Sequence, residues 1–98
     1  MNIQAMMKQA QKMQRDMMNA KDEIDKMEFT SKNSFLTVNG NGKKEITSVR
    51  IDMEKLDKED IEMLEDMIQV AVNDLNNQVD KVTEQKMGKY TQGMPGLF

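Results

Sequence analysis

A chain of 98 residues carrying a net charge of −3, with neither Cys nor His, is sized for one small domain; it excludes disulfides, thiolate or imidazole metal sites, and the nucleophile–base pairs that need either residue. At this size a monomer buries a modest core, so association with a second copy adds useful stability. The charge is uneven, at +3 over residues 1–15, −3 over 16–28, +2 over 29–52, −6 over 53–75 and +1 over 76–98. Attraction to phosphate is set by patches within a Debye length of about 8–10 Å, so a net acidic chain with basic segments can still meet a polyanion.

The first 28 residues read as one helix. Ile3, Met6, Ala10, Met13, Met17, Ala20, Ile24 and Met27 recur at alternating steps of three and four, a heptad seam made to meet another helix. Lys8, Lys12 and Arg15 lie on the opposite face, and no acidic residue precedes Asp16. The apolar residues here are interspersed with Gln and Lys, unlike a signal peptide, and no apolar run approaches a membrane span. A soluble, cytoplasmic protein is expected.

Residues 29–52 change character, and three short antiparallel strands are expected. Phe29, Thr30 and Ser31 begin the first, Lys32 to Ser34 is turn-like, and Phe35, Leu36, Thr37 and Val38 form the second. Asn39-Gly40-Asn41-Gly42 is a strong turn signal, because both Asn-Gly pairs tolerate positive φ. The third strand covers 43–52, with Val49 and Ile51 on one face and Ser48 and Arg50 on the other. Lys43, Lys44 and Arg50 read as solvated charges that discourage edge-to-edge aggregation.

A second helix is expected over 57–87. Asp57 can cap it, and Glu59, Asp60 and Glu62 suit the positive end of its dipole. Ile61, Leu64, Met67, Ile68, Ala71, Val72, Leu75, Val79 and Val82 make a wide apolar face, suited to covering a sheet and meeting another helix. Gly88 is the expected stop, with 88–98 a mobile tail containing Gly93, Pro95 and Gly96.

The expected fold is thus α+β, an α-β-β-β-α subunit in which two long helices leave one small three-stranded antiparallel sheet. A 27-residue helix is about 40 Å long and outreaches such a sheet. The protruding tip then holds the start of the first helix, with Lys8, Lys12 and Arg15, and the end of the second, with Lys81, Lys86 and Lys89. A two-fold dimer presents two such tips, a spacing suited to straddling a duplex. The last three lysines equally suit the negative end of a helix dipole, at about 0.3–1 kcal/mol apiece. Ile3, Met6, Met13 and Met17 from the first helix, with Leu75 and Val79 from the second, are the candidate dimer interface.

Twelve Met residues include Met6, Met7, Met13, Met17 and Met18. Thioethers can hold Cu(I), but with no Cys or His beside them core and interface filling is the stronger reading. The series Glu59, Asp60, Glu62, Glu65 and Asp66 lacks the glycine and ligand spacing of a calcium loop. No catalytic constellation, metal site, cofactor or small-molecule substrate is expected, and the chain does not read as an enzyme. Phosphate contacts would dominate any DNA binding, since Lys outnumbers Arg and nothing offers aromatic stacking platforms. The alternative is a protein-interaction adaptor whose seam recruits another helix.

MMKQAQKMQ at 6–14, VRID at 49–52, EMLEDMI at 62–68 followed by VNDL, then EQKMG and the GMPGLF ending together resemble the YbaB/EbfC family of bacterial nucleoid-associated proteins. The resemblance runs in order along nearly the whole chain. It implies an intertwined, tweezer-like homodimer that binds double-stranded DNA through its protruding helices, at the nucleoid, and takes part in nucleoid organisation or gene regulation.

Overall fold

The computed structural model describes residues 2–91 and has the order α1 (Ile3–Lys26), β1 (Glu28–Asn33), β2 (Leu36–Asn41), β3 (Ile46–Ile51) and α2 (Lys58–Thr91). The three strands form one antiparallel sheet in the order β1-β2-β3. The expected helix–sheet–helix fold is therefore present, and it is elongated, at 71 × 22 × 14 Å.

Each helix start is set by a side chain. Asn2 caps α1, its Oδ1 accepting from the N–H groups of Gln4 at 3.0 Å and Ala5 at 3.4 Å. At α2 the Asp60 carboxylate reaches back to accept the Asp57 N–H at 3.0 Å, the returning half of a capping box. Glu59 and Asp60 stand in the first turn, favourable to the dipole.

Alternation explains the core. Phe29 and Ser31 of β1 pair with Gly40 and Val38 of β2, and these with Leu36 are the buried positions of the two strands. Met67, Ala71, Leu75 and Val79 of α2 close over them at steps of four residues. Gln78 fastens the helix to the sheet, its amide donating to the Thr30 carbonyl at 3.0 Å. The outer face is polar: Thr30 Oγ1 donates to Asn39 Oδ1 at 2.7 Å, and Asn39 Nδ2 donates to Ser48 Oγ at 2.8 Å.

Several local expectations are corrected. β1 continues to Asn33, and the first turn is Ser34-Phe35, with Ser34 at φ 53°. Asn39, Gly40 and Asn41 belong to β2, so the second turn begins at Gly42 and β3 at Ile46. The side chain of Asn41 decides this: its Oδ1 accepts from Lys43 N–H at 2.9 Å and Glu45 N–H at 3.2 Å, while its amide donates to Glu45 Oε1 at 3.0 Å. Lys44, at φ 65°, takes the left-handed position. Gly88 does not stop α2, which continues to Thr91. Met87 beside it is buried, and one helical Gly costs only about 1 kcal/mol against that packing. Residues 92–98 of the expected tail lie outside the described residues.

The heptad seam is buried progressively along α1. Ile24 is fully buried, Met17, Ala20 and Met27 are half-buried, and Ile3, Met6, Ala10 and Met13 are exposed. Gly42 explains why α1 lies where it does: a Cβ there would stand 1.7 Å from the Ile24 carbonyl oxygen. The hairpin backbone thus presses directly on the end of α1.

Candidate nucleic-acid interface

The two helices run antiparallel away from the sheet. Lys44 on the hairpin pairs with Asp80 of α2 at 2.8 Å, nearly two turns further along Lys86 meets Glu23 of α1 at 3.6 Å, and Asp16 lines the same groove as Lys89 and Tyr90. Residues 3–15 therefore project beyond Thr91, by about 20 Å for 13 residues. Every one of them is exposed. The expected protruding tip is present and consists mainly of α1.

Lys8, Lys12 and Arg15 form one stripe about 10 Å long on this projection. The ion pairs among the described residues are Lys21–Asp25, Lys44–Asp80 and Lys86–Glu23, so none of the three stripe cations is neutralised by a carboxylate. With no acidic residue in the first turn of α1, the positive end of its dipole adds to the same field.

The lysines of α2 divide. Lys86 and Lys89 line the interhelix groove with Asp16, Asn19, Ala20, Glu23, Gln85 and Tyr90, and the Lys89 ammonium stands 5.0 Å from the Tyr90 ring centroid. Lys81 is exposed, but it neighbours the Asp80 anchored to the hairpin and lies about 12 Å short of Lys89 along the helix. It does not join the tip.

The apolar candidates divide as well. Ile3, Met6 and Met13 lie uncovered on the projection, with Ile3 71% exposed, whereas Met17 borders Met18 and Met87 where the helices meet. Leu75 and Val79 are spent within the subunit, facing the sheet at 2% and 3% exposure. Periodicity cannot distinguish these two from a surface stripe, because a helix covering a sheet and one meeting a partner show the same spacing. Val49 and Ile51 are the uncovered alternative. The register sets them opposite Val38 and Leu36 on the face that α2 covers, yet α2 lies over β1 and β2 only and leaves Val49 53% exposed. Their alternation with Ser48 and Arg50 was the signal available in the sequence.

A protein-family comparison settles the class. Residues 1–94 match the model of the YbaB/EbfC DNA-binding family. The chain belongs to that family. Its relatives agree: it is 45% identical over 97 residues to a nucleoid-associated protein of Lactococcus lactis subsp. cremoris strain MG1363, covering 97% of this chain and 98% of that one. A nucleoid-associated protein of Oceanobacillus iheyensis is 48% identical over 101 residues, covering 99% and 97%. One from Enterococcus faecalis is 40% identical over 98 residues, covering 98% and 94%. In this family member no described helix is long and apolar enough to cross a membrane, and no cluster of described carboxylates could hold a metal ion.

Proposed function

We propose that this YbaB/EbfC family member is a nucleoid-associated protein of the cytoplasm that binds double-stranded DNA as a homodimer and serves nucleoid organisation or gene regulation. The observation that carries the reading is the projection itself, a helix exposed along residues 3–15 whose Lys8, Lys12 and Arg15 have no acidic partner among the described residues. Three cations on a rigid rod suit the regularly spaced charges of a duplex backbone, and phosphate contacts set position without reading sequence. Lys86 and Lys89 flank the root of the rod, while Lys81 contributes to the wider field only.

The homodimer is assigned to apolar surface that the subunit leaves open. Val49 and Ile51 of β3 and Ile68 of α2 are large apolar side chains left exposed by a chain too small to spare them, and a second copy supplies matching surface. Ile3, Met6, Met13 and Met17 extend this surface along α1, where pliable Met side chains suit a helix partner. Two copies related by a two-fold axis then offer two basic rods to one duplex. The adaptor reading draws on the same exposed seam, but it leaves the unpaired stripe without a role.

Titration of the Lys8→Gln, Lys12→Gln, Arg15→Gln variant against duplex DNA at several salt concentrations tests the proposal. Each lost phosphate contact lowers the slope of log K against log salt by about 0.9, so the slope falls by up to about 2.7 per tip while the oligomeric state stays as it was. An unchanged affinity and slope would remove these residues from the interface. Absence of any salt-sensitive duplex binding by the unmodified protein would leave the adaptor reading.

A further inference from the structure

The basic stripe does not end where α1 joins α2; it changes sign. Lys8, Lys12, Asp16, Asn19 and Glu23 succeed one another at steps of four, four, three and four residues, which sets them along a single helix face. The first two belong to the projection and the last three line the interhelix groove, opposite Lys86, Lys89 and Tyr90. A duplex drawn along the stripe towards the sheet therefore meets cations as far as Arg15 and carboxylates from Asp16 inward. Lys86, the cation deepest in the groove, is already held by Glu23 at 3.6 Å, the one ion pair joining α1 to α2 among the described residues.

We propose that Asp16 and Glu23 act as an electrostatic stop that limits how far DNA enters between the helices, and that Glu23 holds Lys86 back from phosphate. This rests on the DNA-binding reading above and adds specificity-determining residues to it. Both ends of the Glu23–Lys86 pair are substantially exposed, at 68% and 41% for the side chains, so the pair forms and breaks readily. A phosphate competing for Lys86 must displace Glu23 and then lie beside its charge and that of Asp16, within one Debye length of both. Contact is cheaper on the projection, where no carboxylate intervenes. The bound duplex thus stays at the tip, about 10 Å or more from the level of Glu23, and Lys86 adds little to binding in the unmodified protein.

The test is the duplex affinity and salt slope of Glu23→Gln and Asp16→Asn. Neither substitution changes side-chain shape, and Glu23 is exposed, so the fold is retained. Glu23→Gln frees Lys86 and is expected to tighten binding about two- to fivefold, the range set by an exposed ion pair. It should also steepen the slope by about 0.9 for each tip at which Lys86 gains a phosphate. Asp16→Asn tightens binding in the same direction. In a Lys86→Gln background Glu23→Gln loses the slope increment, because the cation it would release is gone. Glu65→Gln on α2, which makes the same change in net charge about 30 Å along the helix from Lys86, leaves the slope unaltered. Equal effects of Glu23→Gln and Glu65→Gln would reduce the stop to net charge and overturn it, as would unchanged or weaker binding by Glu23→Gln. Duplex binding by the unmodified protein keeps these failures separate from failure of the DNA-binding reading; its absence overturns both.

Discussion

Replacing Gly42 with Ala tests how α1 is held. The added Cβ would stand 1.7 Å from the Ile24 carbonyl oxygen, 2.3 Å from its carbon and 2.9 Å from the Asp25 nitrogen. A carbon–oxygen contact needs about 3.3 Å, so hairpin and helix must part by about 1.6 Å. All three obstructing atoms are backbone, and Ile24 is fully buried, so no side-chain rotation relieves the clash. Overpacking costs about 1–3 kcal/mol, and a clash against backbone belongs at the top of that range. For a chain of this length about 3 kcal/mol lowers Tm by roughly 12–24 °C. Circular dichroism melts at one fixed protein concentration measure it, since the Tm of any self-associating chain moves with concentration. Gly88→Ala has the opposite sign: its Cβ meets nothing within 4 Å, and Ala in a helix interior gains about 0.5–1 kcal/mol over Gly. A Gly42→Ala protein that melts within about 2 °C of the original would refute the claim that the hairpin backbone positions α1.

Val49→Glu leaves the subunit fold nearly untouched, because the side chain is 53% exposed. It should weaken self-association at least about 100-fold by burying an unpaired charge at the contact, read by sedimentation velocity across a concentration series. A dimer that persists would move the interface away from β3. Asn2→Ala removes the cap that accepts from Gln4 and Ala5, a loss of about 1 kcal/mol. Because residues 3–15 carry no packing within their own subunit, amide exchange there should quicken about fivefold in the monomer while the monomer's Tm barely moves. A matching fall in Tm would show that the projection contributes to global stability.

The elements were legible wherever one period dominated. Alternation at Val49 and Ile51 marked a half-covered strand, and the wide stripe from Leu64 to Val82 marked a helix with one apolar face; that Leu75 and Val79 spend that face on the sheet was not legible, since a partner helix demands the same spacing. The second turn was not legible, because Asn39-Gly40-Asn41-Gly42 contains two equivalent Asn-Gly pairs. What separates them is tertiary: Gly40 is needed inside β2, where a Cβ would come within 2.8 Å of the Glu45 carbonyl oxygen, and only Asn41 has Lys43 and Glu45 within side-chain reach. The heptad seam showed that α1 meets something without showing where contact ends. Ile24 and Ile3 occupy the same seam position, yet one is fully buried and the other 71% exposed, because the last described turn of α2 lies alongside Asp16. The tip was legible as charge, but the sorting of Lys86 from Lys8 needed Glu23 to be placed beside one and away from the other.

The division of α1 into an acidic, packed half and a basic, projecting half has a folding rationale. Alone, a helix of 13 residues is marginal, because its first turn must fix several dihedrals for one hydrogen bond, which gives nucleation an equilibrium weight of only about 10⁻³. Here Met17 to Lys26, held against Met87 and the Gly42 hairpin, supply a formed helix from which residues 3–15 need only propagate. Propagation tolerates a surface with no packing, so every side chain of the projection stays available for a partner. The carboxylates that would repel phosphate lie in the packed half, where Lys21 and Lys86 partner Asp25 and Glu23. The same helix is therefore foundation over one half and probe over the other, with the sign change at Asp16 falling alongside the last described turn of α2.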